Sequence, residues 1–265
     1  IDWRDSKAPA LLYDLLETGA NVRVATAPFT ALSTEAGSQR FGYGTLFVAP
    51  PIEGDIPSDA IALLREAKAT GARIFAASSS YTPEGIDLGS RGFSVLSLPK
   101  VLLITGPNTS AYSNGEVWHL LDTRVDMPVT MVDSHRLGRV DLSNYSHVIM
   151  TSPLRSPGAV KQMESFVKQG GILWAQGAST VAWAADNYLA DVTWRKTAQQ
   201  TQADELKAAA KKDASAQERQ SKLPERRSFA SASDEYAFTL VRGAILAGNL
   251  DVSHPLGYGY DSEEI

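Results

Sequence analysis

The stretch GAVKQMESFVKQGGILWAQGAS, residues 158–179, decides the fold. Val160, Met163, Phe166 and Val167 recur at helical spacing, so the first part reads as an amphipathic helix. It stops at Gly170, a natural C-terminal cap. The next run, ILWA, is short and apolar without alternation, as in strands covered on both faces. It enters a tight turn at Gln176 and Gly177. In α/β enzymes a turn of this kind often carries the nucleophile.

Working outward, the same order of elements occurs twice. LLYDLLETGANVRVAT, YGTLFVAPP and DAIALLREAKATGARIFAASSS stand against EVWHLLDTRVDMPVTMVD, YSHVIMTSP and residues 158–179. Each copy reads as helix, strand, strand, amphipathic helix, strand. Ile61, Leu64 and Ala67 keep the apolar stripe in the first copy, and Gly71 ends that helix as Gly170 ends the other. The copies lie about 100 residues apart, which is a domain duplication rather than a solenoid of roughly 20–50-residue repeats. Helix–strand alternation predicts an α/β fold made of two duplicated, doubly wound, mostly parallel-sheet domains of flavodoxin-like type. The boundary falls near Pro99, giving domains at 1–98 and 99–265. KVLLITG (100–106) supplies a first strand that the first copy lacks, so the first domain reads as N-terminally truncated. The opening without methionine is that of a fragment or a processed form.

The chain has 265 residues, 43% hydrophobic and 21% charged, an ordinary globular composition with a net charge of −5. That charge argues against a general nucleic-acid binder. No run is long enough for a membrane span, and no signal peptide is recognisable. With no cysteine, disulfides, thiolate nucleophiles and cysteine zinc sites are excluded, and the redox compartment stays open. Residues 196–228 are rich in Ala, Gln, Lys, Arg and Glu, and read as a solvated insertion rather than a nucleic-acid arm. Globular text resumes at EYAFTLVRGAILAGNLDVSHPLGYG, one or two strands returning to the second domain.

In doubly wound sheets ligands bind beyond the carboxyl ends of the strands. The residues to inspect are therefore 106–112, 133–136, 152–155 and 176–180. Binding candidates among and around them are Asn108, Tyr112, Glu116, His119, Arg155, Gln176, Ser179 and His254. Glu116 and His119 stand at i, i+3, a spacing that can hold a metal. Val117, Leu120 and Leu121 mark the buried side of that helix, however, so His119 reads as a capping or buried-network histidine. His254 precedes a proline and reads as a turn residue beside the ligand crevice.

The element order of the second copy resembles the class I glutamine amidotransferase-like fold, whose last strand–turn–helix presents a cysteine. Aligned on that elbow, Gln176 takes the nucleophile's place, give or take one residue, and an amide does not attack carbonyls. Ser78 is the counterpart in the first copy, but all four histidines lie in the second half. Ser179 falls two or three residues late. The elbow is read as catalytically empty, and a serine- or carboxylate-dependent hydrolase ranks last.

GPNTSAYSNGEVWHLLDTRVDMPVTMVD, GGILWAQGAS and SHPLGYG, with VRVATAPFT and ASSSYTPEGIDLGS in the first copy, resemble the non-catalytic region of large bacterial zinc carboxypeptidase-like proteins. Glu116, Trp118, His119, Leu121, Asp122 and His254-Pro255 carry the match. The resemblance implies a metallocarboxypeptidase domain elsewhere in the parent chain, which hydrolyses peptides and holds the zinc. It also implies a periplasmic or secreted location. Here no histidine is followed three residues later by glutamate, so no metal, cofactor or catalytic residue is expected in this segment. The expected role is accessory: packing on the peptidase domain, or binding a peptide or glycan. The alternative is a small-ligand module using the strand-end crevice.

Overall fold

A computed structural model describes residues 1–192, 245 and 247–265. By its contacts the chain divides into one unit of Ile1–Asp191 with Gly248–Ile265, and a second of Val192–Ala247. The insertion expected at 196–228 and most of the expected return strands lie outside the described residues. The first unit is α/β, with one four-stranded and two three-stranded sheets.

The second half follows the expected order. Strands β7 (Val101–Thr105), β8 (Val129–Asp133), β9 (His147–Met150) and β10 (Ile172–Ala175) pair in parallel as β10-β9-β7-β8. Helix α3 (Ala111–His119) connects β7 to β8, and α4 (Pro157–Lys168) connects β9 to β10. Helix α5 (Ala178–Asp186) follows β10. Ala159, Met163 and Phe166 of α4 are buried at helical spacing against Leu102, Ile104, Val148 and Met150. The chain moves from β7 to β8 on one side, then to β9 on the other. That reversal puts a topological switch point at the strand ends.

The first half departs from the repeat. Helix α1 (Ala8–Glu17) buries Leu11 and Leu15 with Val22 and with Ala60 of α2 (Ser58–Ala69). Strands β1 (Asn21–Ala25), β4 (Leu46–Ala49) and β6 (Phe93–Val95) form an antiparallel sheet ordered β4-β1-β6. A second antiparallel sheet holds β2 (Phe29–Ser33), β3 (Gly37–Phe41) and β5 (Glu84–Gly85). The parallel sheet expected here is therefore absent from the described residues. The connection from β1 to β4 is the β2–β3 hairpin and carries no crossover helix, so β4 returns antiparallel to β1. The expected third strand, around 73–80, makes one bridge, Ser33 to Ala77. Phe29, Phe41 and Phe93 form a separate core beneath both antiparallel sheets, with Phe47 and Phe75 packed on it.

Two further expectations are corrected. Among the described residues β10 is an edge strand, and its Ile172 and Trp174 are each 51% exposed rather than covered on both faces. Leu120, expected on the buried side, is 57% exposed; the one buried residue of α3 is Asn114. The terminal segment 248–265 lies against the first half. Tyr258 stacks on Tyr43 at 5.8 Å between ring centroids, and Asp261 pairs with Arg4 at 3.1 Å. Arg4 also grips the buried Asp2 with two side-chain bonds of 2.9 and 2.7 Å, and Arg73 pairs with the same carboxylate. Burial alone would push the Asp2 carboxyl up; the bonds from Arg4 and the charge of Arg73 outweigh it and hold it below the usual value.

Candidate functional site

The carboxyl ends of β7, β8 and β9 surround a crevice of about 670 Å³. The turn after β7 gives it a fixed wall. Gly106 has φ +96°, and a Cβ there would stand 2.7 Å from the Asp133 carboxyl carbon, so only glycine lets the two strand ends approach. Asn108 follows at φ +67°, a left-handed conformation that asparagine tolerates better than most residues. Thr109 Oγ1 donates to the Gly106 carbonyl at 2.7 Å, and the Ser110 hydroxyl caps α3 by accepting from the Ser113 amide.

A buried polar chain ties this turn to β9. Thr151 Oγ1 donates to Asn114 Oδ1 at 2.6 Å, and Asn114 Nδ2 donates to Thr109 Oγ1 at 3.0 Å. The Ser110 amide donates to Ser152 Oγ at 3.0 Å. Thr109, Asn114 and Thr151 each have a partner in this chain, which holds the turn rigid. Across the crevice, Asp133 Oδ1 accepts from the His135 amide at 2.8 Å, with the His135 ring nitrogen 3.6 Å away.

The far wall comes from the segment after β9 and from α4: Leu154, Arg155, Ser156 and Gln162. Gln162 Nε2 donates to the carbonyls of Leu137 and Val140 at 3.1 and 3.0 Å. Its Oε1 is buried with no protein partner, which leaves one acceptor in the crevice wall unsatisfied. The crevice thus offers a guanidinium, two side-chain amides, an imidazole and hydroxyls on a partly apolar floor. It can hold a small polar molecule by hydrogen bonds.

Of the residues singled out from sequence, Asn108 and Arg155 meet here. Tyr112, Glu116 and His119 lie on the exposed side of α3. His254 accepts from the Leu256 amide through Nδ1 at 3.2 Å, in the segment packed on the first half. Gln176 and Ser179 sit at the head of α5, beyond β10, and do not line the crevice. The Gln176 amide nitrogen continues the sheet ladder to the Met150 carbonyl at 2.9 Å, and its side chain bonds to none of the described residues. The positive φ of this turn, +88°, belongs to Gly177. The elbow apex therefore bears no side chain. Sequence reasoning missed Gln162, whose one trace is a polar residue beside Met163 on an otherwise apolar stripe. It also missed Leu137 and Gly138, which reach the wall only through the turns after β8.

Among the described residues no group of three or more His, Asp or Glu side chains is placed to hold a metal. No helix of the described residues is long and apolar enough to cross a membrane. No family model matches the chain, and no curated protein or solved structure matches it.

Proposed function

We propose that this chain is a non-catalytic binding module, an accessory region of a zinc carboxypeptidase-like protein, and that its ligand site is the strand-end crevice. The observation that carries this is the 670 Å³ crevice at the switch point, with Asn108, Arg155 and Gln162 facing one space. The Arg155 guanidinium suits a peptide carboxylate, and the unpartnered Gln162 Oε1 suits a peptide N–H. The amidotransferase-like character of the second half, and the duplication behind the two halves, belong to the same proposal. The repeated helix–strand text supports them, and the antiparallel pairing of the first half is the feature they must accommodate.

Titration calorimetry with short peptides, their C-terminal amides and oligosaccharides tests the assignment. The expected result is binding of free-carboxylate peptides that weakens at least tenfold in Arg155→Ala. Peptide binding indifferent to Arg155 and Asn108 would refute the site. Turnover of a peptide, ester or glutamine substrate that disappears in Ser179→Ala would refute the non-catalytic reading.

A specific observation also favours packing on a neighbouring domain. Met131, Leu103, Ile149 and Trp174 form one row across the parallel sheet, with Met131 55% and Trp174 51% exposed at its ends. Leu103 between them is fully buried, so the face offers two separate exposed apolar side chains that a neighbouring domain can cover. Hydrogen exchange on the parent protein, compared with this chain alone, should show slower exchange in β8 and β10 if the peptidase domain covers that face.

A further inference from the structure

The first half contains a slot shaped like an absent strand. Its walls are the outer edge of β4 and residues 73–77, its floor is α2 through Ile61 and Leu64, and its volume is about 520 Å³. Ile1 stands at its mouth and already makes one rung, with the β4 wall. The Ile1 nitrogen donates to the Leu46 carbonyl at 2.8 Å, and the Leu46 amide donates to the Ile1 carbonyl at 2.9 Å. The next residue turns to the other wall: the Asp2 amide donates to the Arg73 carbonyl at 3.1 Å.

Strand alternation shows what lies deeper. Leu46 turns its backbone groups to Ile1, so Val48, two residues on, turns its own the same way. The β1 register agrees, since Val22 and Val48 form a pair whose backbone groups point away from each other. On the opposite wall the Ala76 carbonyl accepts from the Thr34 amide, and the Ser78 amide donates to the Leu32 carbonyl. Phe75 and Ala77 therefore direct their backbone groups away from β2, towards the slot. Both walls present donors and acceptors two residues apart that none of the described residues occupies, in step with the rungs that Ile1 and Asp2 have begun. Apolar side chains line the space between them: Ile1, Val48, Ile61, Leu64, Ile74 and Phe75.

We infer that this slot is a strand-acceptor groove, and that its occupant is an extended apolar strand joined to Ile1, antiparallel to β4. The Ile1–Leu46 rung sets the register. The first residue ahead of Ile1 faces Phe75, the second pairs with Val48, and the third faces Ala77. Filling the groove joins β4 to residues 73–77 through a central strand, and removes the free edge that an isolated sheet leaves open to other chains.

The test leaves the chain's own residues unchanged. A five-residue extension, Val-Thr-Val-Thr-Val, is placed directly ahead of Ile1 and compared with the same extension carrying proline second from Ile1. A Gly/Ser extension serves as a third arm. The strand-forming extension should raise the thermal midpoint by roughly 5 °C or more, and the other two should not. Amide exchange at Val48, Phe75 and Ala77 should slow at least tenfold with that extension alone. Equal midpoints for all three would overturn the inference. So would dimerisation by light scattering, which would make a second copy the occupant, or equal protection from the free pentapeptide added in trans.

Discussion

Residues 58–77 and residues 157–175 are written in nearly the same pattern, an amphipathic helix, a glycine stop and a short apolar run. Only the second ends in a strand paired along its length. The helices form alike, because local periodicity suffices for a helix that has an apolar surface to cover. The strands differ because a strand needs a neighbour of the right direction. In the second half β7 lies centrally and β9 pairs beside it, so β10 finds an open parallel edge. In the first half β4 pairs with β1, and among the described residues its other edge holds only Ile1.

The largest expected effect tests whether the two helices carry their halves equally. Met163 is fully buried in α4, and Met163→Ala should cost about 2–5 kcal/mol in denaturant unfolding. Leu64 of α2 is half-buried beside an open slot, and Leu64→Ala should cost less than about 2 kcal/mol. Equal costs would erase the contrast.

The next effect belongs to the first half. Asp2→Asn removes the charge gripped by Arg4 and Arg73, and should cost about 1.5–3 kcal/mol. Because the folded carboxyl sits below its usual 3.8, its contribution is complete above that value. It fades as pH falls through the folded value, and acid titrations of wild type and Asp2→Asn should converge there.

In the second half, Thr151→Val strands the buried Asn114 acceptor and should cost about 1–3 kcal/mol. It should also speed exchange at the Ser110 amide, as the strand-end turn loosens. Unchanged exchange would mean that the turn is held by Gly106 and Asn108 alone.

The smallest effect concerns His147 on β9. Burial holds its imidazole below the ordinary 6.5, and Ser146 Oγ lies 2.8 Å from Nδ1. The unfolded chain then binds the proton more readily, so stability should decline as pH drops below 6.5 and level off under the folded value. His147→Gln should flatten that slope without altering the crevice.

The parallel sheet was legible because each of its strands is a short apolar run bounded by glycine or a helix stripe. Its register was not legible, since Val101, Leu102, Leu103 and Ile104 are all apolar and buried, and a one-residue slip leaves apolar side chains on both faces. The hairpin at 29–41 was passed over, although APFTALSTEAGSQRF contains its evidence. Phe29, Ala31 and Ser33 alternate, and Ser33 Oγ accepts from the amides of Glu35 and Ala36 ahead of Gly37. Reading that turn would have predicted the antiparallel pairing. The candidate site was half legible. Strand ends pointed to Asn108 and Arg155, while Gln162 enters from a helix face that periodicity assigns to the core. Where the terminal segment docks could not be read, because Tyr43 and Tyr258 carry no sign in sequence that they stack.

Gly177 has a consequence for what the turn can carry. A Cβ placed on it would meet no atom within 4 Å, so room for a reactive side chain remains. What opposes a side chain is conformational: at φ +88° any L-residue is strained, at a cost of about 1–3 kcal/mol. An enzyme tolerates that strain because turnover is selected. Glycine at this position carries no such strain, and any other residue there is kept only against a standing cost in stability. The apex is open to a side chain in space and closed to it in energy.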